Sequence, residues 1–194
     1  MSATVAAALV ATGLRLVASH STPPQPLGDG GAYPDGAPPG FSGGFKEESC
    51  HACHFHQEIN AAGGSVSIDG VPATFKPGER YTLTITLTRP GMKRAGFQFT
   101  ARFKDTGAQA GVLAVGAAEA ERITVESHGG VQYAGQRKAG SVVSGNAARW
   151  LLDWTAPASG GAVVFSVAAN AGDGNESADG DFVHTAMAGT APPP

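Results

Sequence analysis

The run Tyr81-Thr82-Leu83-Thr84-Ile85-Thr86-Leu87-Thr88 constrains the fold more than any other stretch of this chain. Successive side chains of a strand point to opposite faces, so this alternation puts Tyr81, Leu83, Ile85 and Leu87 toward a core and the threonines toward water. Residues 95–103 (AGFQFTARF) repeat the pattern, with Phe97, Phe99, Ala101 and Phe103 inward and Gln98, Thr100 and Arg102 outward. Arg149–Thr155 places Trp150, Leu152 and Trp154 on one face. Ala162–Ala169 is almost continuously apolar, as a central strand is. Ser65–Asp69, Ala110–Val115, Arg122–Glu126, Val131–Ala134 and Phe182–Met187 are shorter candidates between turn clusters. This predicts an all-β, antiparallel, immunoglobulin-like sandwich over residues 63–189. With 28 glycines, 13 prolines and 15% charged residues, composition favours many turns over long helices.

A second feature speaks to chemistry. Cys50-His51-Ala52-Cys53-His54 is a C-x-x-C-H sequence, and Cys50 and Cys53 are the only cysteines in the chain. Two thiols at this spacing can each form a thioether to one vinyl group of a haem, and the imidazole that follows reaches the iron as its proximal ligand. The expected cofactor is therefore covalently attached haem c, with Cys50, Cys53 and His54 as its residues. Other uses of the pair stay open: a small disulfide, half of a zinc site completed by His51, His54 or His56, or a redox dithiol. No βαβ pattern supports the last.

The segments before the sandwich divide by composition. Residues 4–18 form a short apolar run that resembles the core of a signal peptide, with a small-residue cleavage zone near Val17-Ala18-Ser19. Residues 1–19 are thus expected to direct export, to the periplasm or the cell surface. Arg15 interrupts the run, and no Lys or Arg precedes it. Residues 20–45 are rich in Pro and Gly and read as a linker or extended arm, with Phe41 and Phe45 as hooks onto the sandwich or covers for a haem edge. Residues 46–62 carry the haem-attachment sequence, with Ser49 as the cap of a short helix. Residues 190–194 are a Pro-rich tail. No later stretch is apolar and long enough to span a bilayer, and the net charge of −3 offers no basic field for nucleic acid.

A low-spin haem iron needs a sixth ligand. Met92 is the first candidate, because a lone Met in the turn Pro90-Gly91-Met92-Lys93-Arg94 is expected to be exposed. His184 is a weaker one. His128 reads as a solvated turn residue and Met187 as core. Asp173, Glu176, Asp179 and Asp181, in the turn-rich loop before the last strand, offer hard oxygen ligands of the kind calcium takes, without the spacing of an EF-hand. Lys93, Arg94, Arg137 and Lys138 are candidates for a basic docking rim.

Taken together, GAPPGFSGGF before CHACH, then PGERYTLTITL, GFQFTARF, AGVL, WLLDWTAP and VVFSVAANAGDGNESADGDFVHT resemble secreted bacterial proteins with a reeler-like β-sandwich, the choice-of-anchor V domain family. The resemblance covers about residues 36–188, and the order and spacing of the pieces carry it. It implies a reeler-like sandwich, export and, for members with C-x-x-C-H, a mono-haem cytochrome c site. Many members carry a His-Thr before an Ala-Gly-Thr where this chain has Gln136-Arg137-Lys138-Ala139-Gly140-Ser141, so a distal histidine at that place is missing here. The anchor that the family's name implies does not follow the last strand.

The first functional expectation is an exported mono-haem c-type cytochrome that passes one electron to an unidentified redox partner protein: a carrier rather than an enzyme. The second is a non-enzymatic surface or adhesion module whose Cys50–Cys53 pair is a disulfide or metal clip. The third is a haem sensor or peroxidase with an open distal side.

Overall fold

The computed structural model describes residues 33 and 35–194, so the expected signal peptide and most of the linker lie outside the described residues. Among the described residues, nine strands form two antiparallel sheets. The strands are β1 (Ser65–Asp69), β2 (Arg80–Thr88), β3 (Arg94–Phe103), β4 (Val112–Ala114), β5 (Ile123–His128), β6 (Val131–Gln136), β7 (Ala147–Thr155), β8 (Val163–Gly172) and β9 (Phe182–Thr190). One sheet has the order β1-β2-β7-β4 and the other β5-β6-β3-β8-β9. This is the expected sandwich, with β8 and β9 each running to a glycine or threonine a few residues past the apolar stretch that marks them. Among the described residues no helix is long and apolar enough to cross a membrane.

The alternating runs face each other across the core. Leu83, Ile85 and Leu87 of β2 and Trp150, Leu152 and Trp154 of β7 come from one sheet; Phe97, Phe99, Phe165 and Val167 come from the other. Trp154 meets Phe165 edge to face, at 4.9 Å between ring centres and 87° between planes. Each buried indole N–H has a carbonyl acceptor: Trp150 donates to Gly140 at 2.8 Å and Trp154 to Ala110 at 2.9 Å. An indole without such a partner loses part of what its burial contributes.

The outward face of the five-stranded sheet departs from the sequence expectation. Gln98, Thr100 and Arg102 do point away from the core, yet they are buried. The arm over residues 35–49 covers them. Gln98 Oε1 accepts from the backbone N–H groups of Gly40 and Phe41, and Gln98 Nε2 donates to the carbonyls of Ala37 and Pro38. Arg102 pairs with Glu47, and Tyr133 joins the same carboxylate. Ser42 Oγ donates to the other oxygen of Glu47 at 2.7 Å. Phe45 is a hook: Arg102 lies 5.2 Å from its ring centre. Gly44 lies so close to Ser166 that an added Cβ would collide with Ser166 Oγ, so only a residue without a side chain lets the arm approach the sheet here.

At the edge of this sheet, His184 of β9 lies with Phe182, Ala186 and Ala188 on the face toward the core. It is 1% exposed, and neither ring nitrogen has a hydrogen-bond partner among the described residues. Desolvation, and secondarily the charge of Arg89, lower its pKa from the usual 6.5. A histidine whose folded-state pKa is lowered takes up its proton more readily in the unfolded chain, so its contribution is intact above about pH 6.5 and drains away as the pH falls below that value. Urea midpoints of the protein should therefore drop between about pH 7 and about pH 5, and the drop should shrink in His184→Leu.

The Arg102–Glu47 pair yields a second expectation. Its side chains are 8% and 16% exposed. Removing one partner strands the other charge beneath the arm, which typically costs about 3 kcal/mol. Glu47→Gln and Arg102→Met should each lower the unfolding free energy by that order in urea titrations.

Candidate functional site

The arm delivers the C-x-x-C-H sequence onto the outward face of the five-stranded sheet, beside β8. The short helical or irregular segment expected within residues 46–62 is a single 3₁₀ turn, Cys50–Ala52, followed by irregular chain. Two tertiary demands account for this. Glu47 leaves the segment to meet Arg102, and Asn60 takes a positive φ of 61° to reach β9. There the Asn60 N–H donates to Val183 O at 2.9 Å, and Asn60 Oδ1 accepts from Thr185 N at 2.8 Å. Ser49 caps the turn as expected, its Oγ accepting from His51 N at 3.2 Å. The N–H groups of Cys53 and His54 both turn back to Cys50 O, at 3.2 and 3.0 Å. His51 Nε2 donates to Gln57 O at 2.9 Å and closes the following loop.

Both thiols are free, and both cysteines are half-buried. Burial pushes the Cys50 thiol up to about 12. A redox dithiol needs the opposite, a thiolate stabilised near neutral pH, so Cys50 has the character of a structural or anchoring thiol. The thiols and imidazoles do not converge as a metal clip would require: no group of three or more His, Cys, Asp or Glu side chains among the described residues is arranged to hold a metal ion.

The long loop before β9 supplies the partners of both site histidines. His54 Nδ1 lies 2.8 Å from Asp181 Oδ2, and His56 Nδ1 lies 2.8 Å from Asp179 Oδ1. Asp181 is 4% exposed, whereas the Asp179 and His56 side chains stand in solvent and Phe55 stacks on His56 at 4.9 Å. Within the loop, Asp173 accepts from Asn175, Asn175 from the Ser177 N–H and Ser177 from the Asp179 N–H. These bonds shape a compact turn, and the calcium expectation gains no convergent carboxylates from it.

The distal candidates fall elsewhere. Met92 is 5% exposed and packs in the core, because the turn at Gly91 (φ 82°) folds it inward; the exposed loop methionine expected from sequence is a core residue. His184 faces the core, on the opposite side of β9 from Thr185 and the attachment segment. Met187, expected in the core, is 69% exposed on the outer face. His128 ends β5 at an exposed turn. Of the basic candidates, Arg94 donates to Ser141 Oγ, Arg137 donates to Ile123 O, and the backbone N–H of Lys138 donates to Asp35 Oδ1.

Sequence reasoning missed Asp181 and Asn170 as partners of His54 and Glu47 as partner of Arg102. The legible trace was an arginine and a glutamine on the outward face of a strand whose inward face is built of Phe and Ala.

No protein-family model matches the chain, and no curated protein matches it in sequence. Solved structures similar to it include the Reelin-N domain of F-spondin, at 18% identity over 71% of this chain and 91% of that one, with a TM-score of 0.49. A human F-spondin reeler domain fragment is 17% identical over 72% of this chain and 98% of that one, with a TM-score of 0.48. A cohesin module from Clostridium perfringens is 11% identical over 66% of this chain and 96% of that one, with a TM-score of 0.43. At such identities the likeness concerns fold alone; the sandwich assignment stands on the strand order and register described above.

The desolvation of the Cys50 thiol can be read directly. Iodoacetamide near neutral pH should modify Cys50 at least about tenfold more slowly than a cysteine in a short peptide, and the difference should vanish in urea. Peptide mass spectrometry over time measures both rates.

Proposed function

We propose that this chain is an exported mono-haem c-type cytochrome of the reeler-like, choice-of-anchor type. Cys50 and Cys53 would hold the haem through thioethers, and His54 would be its proximal ligand. One observation carries this reading: two free thiols and a half-exposed imidazole share one turn on the outside of the sandwich, with His54 Nδ1 occupied by Asp181 and Nε2 left without a partner among the described residues. That donor set fits haem attachment and fits neither a zinc clip nor a low-pKa dithiol. The bound group supplies one-electron exchange between ferric and ferrous iron. The protein's part is to fix the turn, orient His54 and leave the face open to a redox partner. Phe55 and Ile59, 60% and 43% exposed beside the turn, are the apolar side chains such a partner would meet first. Residues 1–19 would direct export, which thioether formation requires.

The test is a pyridine haemochrome spectrum of the full chain made in a host with active cytochrome c maturation, beside Cys50→Ala/Cys53→Ala. The wild type should hold haem through acid–acetone extraction and the double variant should not. A colourless wild type would reject the cytochrome reading in favour of a surface β-sandwich.

A further inference from the structure

We infer that Asp181 is the positioning residue of this site: it fixes His54 as the Nδ1–H tautomer, presents Nε2 as the free lone pair, and places a negative charge behind the ring that favours ferric over ferrous iron. The statement about iron rests on the cytochrome reading; the statement about the tautomer does not.

The geometry leaves little choice. An ionised carboxylate only accepts hydrogen bonds, so at 2.8 Å the His54 Nδ1 must be the donor to Asp181 Oδ2. The same oxygen accepts from Asn170 Nδ2 at 2.9 Å, and Asp181 Oδ1 accepts from the Asp173 N–H at 3.1 Å. Asn170 Nδ2 also lies 3.4 Å from His54 Nδ1, but a nitrogen that already bears a proton cannot accept it, so this approach only lines the ring's edge. Three donors therefore converge on one carboxylate that is 4% exposed. Asn170 belongs to β8, and Asp181 directly precedes β9, so both are placed by the sheet rather than by the loop's outer turn. Among the described residues no Lys or Arg side chain forms an ion pair with Asp181, so its charge is directed at the imidazole.

A carboxylate on the far nitrogen of a ligating histidine sets its orientation and raises its basicity as a ligand. A more basic axial ligand stabilises the more highly charged iron and lowers the reduction potential. His56 and Asp179 form a pair of the same length one turn away but stand in water, where the same charge is screened. They provide a matched control.

Two readouts test this. In the ¹⁵N-labelled chain without haem, held where imidazoles are neutral, long-range proton–nitrogen correlation spectra should show His54 as the Nδ1–H tautomer; an Nε2–H tautomer in the wild type would overturn the inference. In the matured protein, Asp181→Asn should keep covalent haem but shift the ferric–ferrous equilibrium toward ferrous by about tenfold, which is about 59 mV for one electron. It should also lower the ferrous iron–imidazole stretching frequency, and Asp179→Asn should change neither. Equal potentials in the two variants would sink the proposed role in tuning. If the wild type is colourless, the cytochrome reading fails by itself, and the tautomer spectrum still decides whether Asp181 positions His54. If Asp181→Asn does not fold, the wild-type tautomer alone decides the positioning role.

Discussion

The pairing of Arg102 with Glu47 beneath the arm is the interaction on which the arrangement outside the sandwich depends. A guanidinium on a strand face is stable out of water only if its charge is paired. Here the partner comes from a segment 55 positions earlier. Glu47 cannot reach Arg102 without drawing Ser42, Gly44 and Phe45 across β3 and β8, and that path ends at Ser49, where the turn carrying the cysteines begins. Tyr133 tightens the same knot; burial above all, and its bond to Glu47, hold its phenol pKa above the ordinary 10. One polar cluster thus converts a Gly- and Pro-rich stretch with almost no core of its own into an ordered arm.

The site is then built from two pieces with different physics. The turn Cys50–Ala52 is local: a serine cap and backbone bonds to Cys50 O set the spacing of the thiols and of His54. The orientation of His54 is non-local, since it depends on Asp181 and Asn170 at the far end of the chain. Local bonds set the backbone of the turn, and residues of the sheet and its flanking loop hold the His54 ring at Nδ1. The desolvated thiol of Cys50 fits an anchoring role better than one in exchange chemistry.

What could be read in the sequence follows the same division. The alternation of Tyr81–Thr88 and of residues 95–103 marks strands because its period is a property of neighbouring residues, and both strands form where the pattern lies. The cysteine spacing and the Ser49 cap are equally local. The segment 46–62 keeps only one helical turn because Glu47 and Asn60 answer to Arg102 and β9, which no nearby residue announces. Met92 and Met187 exchanged their expected environments for similar reasons. A turn glycine folded Met92 inward, and the two-residue period of β9 turned Met187 outward. His54 and Asn170 are separated by 116 positions, and nothing in either segment alone points to the other.

The contact of Asn60 with β9 has a consequence for association. β9 is the last strand of its sheet, and its outer backbone groups would otherwise offer a template for a foreign strand. Asn60 occupies Val183 O and Thr185 N, near the start of that rim. The segment bearing the cysteines is thus also a guard against edge-to-edge polymerisation. Anything that lifts it from the sheet uncovers a sticky border along with the thiols, so loss of order at the site and loss of colloidal stability are coupled.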